Sequence, residues 1–299
     1  MAKILIVGCG AIGSALAEVL ARQGHQVTGL KRNPPRPSGE EGGIHHVAAD
    51  ISSSSDLANL DTDFTQVFFI VSPDARNEAS YRAVYETGLN NLLDKLPKAH
   101  WLMVSSTSVY GQTQGEWVDE ESIAEPDNIA SRLIRQAEQR LTAFNPNNIV
   151  VRFSGIYGLG REYLLRQALQ APDIQQSPPY YTNRIHQQDC IGVLVFLLEQ
   201  HLAARVLDQY YLASDDDTAP IWEVMNWLAE RLHCPPPTAK DGGSVEIGRE
   251  PMPPTVKAVG TDAGMNKRCS NSRLKALGYQ FHYPSYKDGY MELIGMREG

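Results

Sequence analysis

The chain has 299 residues, is 42% hydrophobic and carries a formal net charge of −8, a make-up that allows one large α/β unit or two lobes around a sizeable core and argues against nucleic acid or an anionic membrane surface as its partner. Its four cysteines, Cys9, Cys190, Cys234 and Cys269, are too scattered for a disulfide framework or a metal site, which suits a reducing compartment. MAKILIVG lacks the cleavage region of a signal peptide and the longest apolar run, CIGVLVFLL, is too short to span a bilayer, so the expectation is a cytoplasmic protein with no membrane segment.

In chain order, KILIV, HQVTGL, IHHVAA, QVFFIV, HWLMVS and NIVVRF read as strands. Their near-continuous hydrophobicity is that of a parallel sheet covered on both faces. Between them AIGSALAEVLARQ (closed by Gly24), residues 75–96 and NIASRLIRQAEQRLTAF have apolar residues at helical spacing. The alternation predicts βαβ units and a Rossmann-type doubly wound α/β sheet. After Arg152 the rhythm loosens, and QSPPYY, HCPPPTAK and REPMPP mark loops. The predicted division is a nucleotide-binding domain over 1–153 with about 184–212, and a smaller lobe over 154–183 and 213–299.

KILIVGCGAIGSALAEVL places Gly8, Gly10 and Gly13 as G-x-G-x-x-G between a strand and a helix. The first glycine permits a tight turn, the second lets a pyrophosphate approach the backbone, and the third lets the helix pack closely. The helix N-terminus then offers free N–H groups to the phosphates. An NAD site normally has an acidic residue about 20 positions on. Here no Asp or Glu occurs between Glu18 and Glu40, and Lys31 and Arg32 end the second strand. Basic side chains there suit a 2′-phosphate, so NADP is the expected cofactor, with NAD the alternative. Asp50 is placed to receive the adenine amino group or to cap a short helix after it. Cys9, inside the turn, is counted among the expected cofactor contacts and reads as a small packing residue. Ala11, Ile12, Ile51, Val71, Ser72, Ser105 and Gly155 complete the expected cofactor contacts.

Together GCGAIG, SSTSVYG, RFSGIYGLGR, NRIHQQD and LGYQFHYPSYKDGY resemble an extended short-chain dehydrogenase/reductase of the NAD-dependent epimerase/dehydratase type, over nearly the whole chain. The last segment looks like the end of one atypical subgroup. The resemblance implies that Ser106 occupies the position of the family's catalytic Ser or Thr. It also implies a Tyr-x-x-x-Lys pair early in the next helix, where the lysine lowers a tyrosine pKa that is otherwise near 10. With Glu138 matched to the family's following glutamate, Ala130 and Ile134 fall at those two positions, and there is no lysine between Lys98 and Lys240. The pair is absent. Thr107 and Ser108 likewise replace the Asp-Glu pair of sugar-nucleotide dehydratases. Tyr110, ahead of Tyr157 and the acidic loop Asp119–Glu121, is the first-ranked stand-in acid.

Arg152, Arg161, Arg184, Arg249 and Arg273 are candidates to hold an anionic substrate, with Arg152 and Arg184 preferred. Thr182 stands where nucleotide-sugar epimerases have a diphosphate-binding arginine, which counts against such a substrate. His186 and Asp189 have the spacing of a metal pair, but Asp189 is better read as a helix N-cap, so no metal is expected. The aspartates of SDDDTAP read as caps of the following helix. Residues 75–96 and 128–144 match helices that form a four-helix dimer interface in related proteins, and Ile129, Leu133, Ala137 and Leu141 make an apolar stripe, so a homodimer is expected. The favoured function is an NAD(P)-binding epimerase/dehydratase-like protein, NADP-preferring, with altered or lost redox chemistry. The alternatives are an active NAD(P)-dependent oxidoreductase or epimerase acting on a small molecule such as a nucleotide sugar through a non-standard proton donor, and an NADP-sensing regulatory protein.

Overall fold

In the computed structural model, which describes residues 1–34, 43–240 and 265–298, the first apolar run is strand β1 (Lys3–Val7), followed by helix α1 (Ala11–Arg22), β2 (Gln26–Lys31), β3 (Ile44–Ala48) and β4 (Gln66–Phe69). Helix α2 (Glu78–Arg82) runs through a π-helical turn (Ala83–Gly88) into α3 (Leu89–Lys95). Next come β5 (His100–Ser106), a 3₁₀ turn (Thr107–Val109), β6 (Glu116–Val118), α4 (Ile129–Phe144) and β7 (Ile149–Phe153). The remainder is β8 (Gly155–Tyr157), α5 (Tyr163–Ala168), β9 (Asp173–Gln175), β10 (Tyr181–Thr182), β11 (Arg184–His186), α6 (Gln187–Leu202), β12 (Tyr210–Ala213), β13 (Ala219–Pro220), α7 (Ile221–Arg231), β14 (Thr238–Lys240), β15 (Lys267–Cys269), α8 (Ser272–Leu277) and α9 (Tyr286–Glu298). Arg249 and the REPMPP loop lie outside the described residues.

Among the described residues the main sheet has seven strands in the order β12-β7-β5-β4-β1-β2-β3. β1 pairs in parallel with both β2 and β4, β2 with β3, and β4 with β5. Apart from the half-exposed edge strand β3, the strands are largely buried: β4 and β7 have no exposed position, and Ile4 to Val7 are wholly buried. This is what continuous apolar runs produce when helices cover both faces. The chain builds outward from β1 to β3, then returns to lay β4 on the other side of β1. The reversal leaves a crevice beyond the carboxyl ends of β1 and β4, where doubly wound sheets bind ligands.

By its internal contacts the chain divides into one unit of Met1–Val109, Pro126–Arg152 and Ile191–Tyr211, and another of Tyr110–Glu125, Phe153–Cys190 and Leu212–Gly299. The second differs from the sequence-based division by taking in 110–125 and 184–190. β6 pairs with β15, and β11 with β8, which ties these segments into it. Its core gathers Leu165, Ile174, Val224, Leu228, Tyr290 and Leu293.

In α4, Leu133, Ala137 and Leu141 are buried within the chain and Ile129 is half-buried. One expectation about a helix is corrected. No helix follows Asp50. Its Oδ1 accepts from the N–H and hydroxyl of Ser52 (2.8 and 2.7 Å) and organises a run of turns instead.

Candidate functional site

The crevice of the first unit holds a cavity of about 540 Å³, within the usual size of a cofactor pocket. It brings together Gly8, Cys9, Gly10, Lys31, Arg32, Asp50, Ile51, Val71 and Ser72. Ala11, Ile12, Gly13, Ser105 and Gly155 are not among its lining residues.

Each glycine of the turn has its own physical reason. Gly8 sits at φ +99°, and a Cβ there would lie 2.4 Å from the Ile70 carbonyl oxygen. A Cβ on Gly13 would lie 2.1 Å from the Gly8 oxygen, so α1 packs directly on the turn that precedes it. Gly10 has φ −78°, and a Cβ there would meet nothing within 4 Å. It borders open cleft. No side chain caps the N-terminus of α1 and no acidic residue occupies its first turn, so its N–H groups and positive dipole end are available to an anion. This backbone cradle fits the pyrophosphate of a dinucleotide.

The far end of the cavity is charged. Lys31 Nζ reaches the Cys9 carbonyl at 3.4 Å. Arg32 grips Asp74 through both terminal nitrogens. Asp74, with Asn33, Ser52, Ser80, Ala83 and Val84, also lines the cavity and was missed in the sequence. Two of these, Ala83 and Val84, belong to the π-helical turn. The cue available was position: the segment after β4 ends beside the crevice of any doubly wound sheet. Cys9 is a packing residue. Its thiol points to the Ile6 carbonyl (3.7 Å), and burial pushes its pKa up to about 11.

The hydroxyls at the end of β5 divide. The Ser105 hydroxyl donates to Glu138 Oε1 at 2.5 Å and is consumed in the interior. Glu138, wholly buried, also receives Arg135 (2.9 Å) and two nitrogens of Arg152 (3.0 and 2.8 Å). Ser106 is half-buried, and its oxygen accepts the Ser108 N–H at 3.1 Å. α4, IASRLIRQAEQRLTAF, has neither tyrosine nor lysine.

Several expected site residues have other work. Tyr110 is wholly buried and its hydroxyl donates to the Asp119 carbonyl at 2.7 Å, so it is not poised as an acid. Arg152 is buried against Glu138 rather than open to a substrate. In the second unit, the Gly155 N–H donates to the Asn183 carbonyl at 3.1 Å, one link between β8 and the strand beside it. Arg184 is also buried. Nη2 donates to Thr182 Oγ1 and the guanidinium lies 5.0 Å from the Tyr286 ring centre, while Nε and Nη1 have no hydrogen-bond partner. Asp215 has both oxygens unpartnered, and burial raises its pKa well above the usual carboxylate value despite the opposing charge of Arg184. Asp189 does not cap its helix. Its carboxylate accepts from the Tyr279 hydroxyl (3.0 Å) and from the N–H groups of His282 (2.7 Å) and Tyr283 (2.9 Å). Nor do the aspartates of SDDDTAP cap α7, whose N-cap is Pro220. Asp216 receives Asn271 and Lys275, and Asp217 receives Ser285.

The sequence model of the NAD-dependent epimerase/dehydratase family matches residues 4–168. A solved structure from Methylobacillus flagellatus, described as a candidate NAD-dependent epimerase/dehydratase, is 34% identical with a TM-score of 0.79, over 100% of this chain and 99% of that one. Protein YeeZ of Escherichia coli K12 is 25% identical over 95% of this chain and 97% of its own. UDP-glucose 4-epimerase of Thermus thermophilus, solved with NAD, shares the fold at a TM-score of 0.74 and 17% identity, over 99% of each chain. Among the described residues no helix is long and apolar enough to cross a membrane.

Proposed function

Because the chain belongs to the NAD-dependent epimerase/dehydratase family, we propose that it binds a dinucleotide in the crevice after β1, prefers NADP, and has lost or altered the family's redox step. The observation that carries the binding reading is Gly10, whose missing side chain leaves the backbone open to the cavity at an uncapped helix N-terminus. Gly8, Gly10 and the first turn of α1 would hold the pyrophosphate, and Lys31 and Arg32 the 2′-phosphate, with no acidic residue at the end of β2 to favour a free ribose hydroxyl. When bound, such a cofactor supplies hydride transfer. The chain's own part in that step is reduced. Ser106 can orient a substrate oxygen, but α4 supplies no tyrosine and no lysine, and Tyr110 is held by a carbonyl. General acid–base assistance is worth about 10²–10⁴-fold, so turnover without it is slow.

Calorimetric titration of the intact protein tests the reading. NADP should bind more tightly than NAD, and Arg32→Ala should weaken NADP by at least about tenfold while leaving NAD within about twofold, since a charge-assisted contact to phosphate is lost. Equal or tighter NAD binding by the unmutated protein would sink the preference. A second reading, an epimerase or oxidoreductase of a nucleotide sugar with an unusual proton donor, is favoured by the half-open position of Ser106 and by the nucleotide-sugar enzyme among the similar folds. It requires robust single-turnover hydride transfer that Ser106→Ala diminishes.

A further inference from the structure

Arg32 does not stand open in the cavity. Nη1 is bonded to Asp74 Oδ2 and Nη2 to Asp74 Oδ1, fork against fork. The two residues come from separate elements: Arg32 directly follows β2, and Asp74 lies in the segment after β4. Both line the cavity in which the dinucleotide is placed. A guanidinium takes a carboxylate and a phosphate through the same pair of parallel bonds. The Asp74 carboxylate therefore fills the coordination that a ribose 2′-phosphate would use.

Holding the fold together is a poor explanation of this pair. Its side chains are 53% and 62% exposed, and ion pairs so open to water shift an equilibrium by no more than about fivefold. A tie of that strength can be exchanged for a ligand. It is also directed, because two parallel bonds set the guanidinium plane against the carboxylate. Asp50, the other acid of the cavity, has its Oδ1 taken by Ser52, so it does not compete for the fork in the same way.

We infer that Asp74 is a specificity-determining residue of the cofactor site: it occupies the Arg32 fork until a 2′-phosphate displaces it, and it thereby sets how strongly the site favours a phosphorylated over an unphosphorylated ribose. This rests on the reading of the cavity as a dinucleotide site. A displaced Asp74 stays beside the incoming dianion, so its charge opposes the phosphate twice, by competition and by repulsion. It leaves a ribose bearing only hydroxyls unaffected.

The test is isothermal titration of the full chain with NADP, NAD and 2′,5′-ADP, using Asp74→Asn, Arg32→Ala and the double variant, with thermal melting as a check that each is folded. Asp74→Asn keeps the shape and removes the charge. It should tighten NADP and 2′,5′-ADP by about three- to tenfold and leave NAD within about twofold. In the Arg32→Ala background the same change should have much less effect, giving a coupling of similar size between the two positions. An unaltered NADP-to-NAD ratio in Asp74→Asn, with the wild type preferring NADP, would overturn the role of Asp74 and leave the NADP reading intact. Weaker NAD binding in that variant would also overturn it, making Asp74 a ribose acceptor. If the wild type prefers NAD but Asp74→Asn shifts it toward NADP, the preference proposed above fails and the role of Asp74 stands. Absence of binding by either dinucleotide in every variant would overturn both.

Discussion

His100 is the buried base on which the acid stability of the first unit should turn. Its Nδ1 lies 2.8 Å from Gln66 Oε1 and its Nε2 2.7 Å from the Asn147 carbonyl, and its ring stacks on His201 with centroids 3.6 Å apart. Burial, with a smaller contribution from His201, pushes its pKa down to about 4. An unfolded chain protonates the same group near 6.5. Between those values the unfolded state binds more protons, so stability is full above about pH 6.5 and falls as the pH drops toward 4. The contribution is at most about 3 kcal/mol. Calorimetric melts from pH 7 to 4 should show a steeper loss for the wild type than for His100→Gln; parallel curves would show that His100 is not the titrating group. None of this is legible in HWLMVS, where one histidine in an apolar run gives no sign of two hydrogen bonds and a stacking partner from far along the chain. Glu138 was similarly visible only as a point of alignment: Arg135 lies one turn before it in α4, but the buried Arg152 and Ser105 reach it from β7 and β5.

The strand–turn–helix from β1 to α1 was legible because its logic is local: a turn, a close approach and a helix start, each needing glycine within six residues. The structure separates their roles, and substitution should separate them again. Gly10→Ala puts a methyl group into open space at an extended backbone, so the fold should lose no more than about 1 kcal/mol, mostly from the poorer cap, while dinucleotide affinity collapses. Gly13→Ala drives a methyl group into the Gly8 carbonyl, and α1 has to move away at a cost of about 1–3 kcal/mol or more. Melting and titration of the two variants check this: comparable stability losses would contradict it. The strands were equally readable, because buried parallel strands leave long apolar runs in the sequence. What the pattern misjudged were polar residues with two competing uses. Asp189 has the residue type of a cap, yet its carboxylate closes on Tyr279, His282 and Tyr283 about ninety positions away. Asp50 precedes a serine-rich stretch that could have begun a helix, and Ser52 turns it into a chain of turns.

Both units are assembled from separated stretches of chain. The first is completed by Ile191–Tyr211, which contributes most of α6 and the first half of β12. The Val150 N–H donates to the Gln209 carbonyl at 2.8 Å, and Val193, Leu194, Leu197 and Leu198 are fully buried. A fragment ending at residue 152 would leave the wholly buried β7 as an open, apolar sheet edge. It should aggregate or melt without cooperativity, whereas the full chain unfolds cooperatively. A soluble fragment with a sharp transition would count against this account of the core. The interleaving governs synthesis as well as stability. On the ribosome the sheet cannot close over β7 until residue 211 has emerged. The second unit waits longer, since Asp189 receives its clamps from residues 279–283, and Tyr290, Leu293 and Ile294 of α9 enter its core. Nascent chains of this protein therefore remain unfinished intermediates with apolar strands uncovered until residues 279–294 have emerged, and their demand on chaperones is set by translation speed through the stretch that leads there.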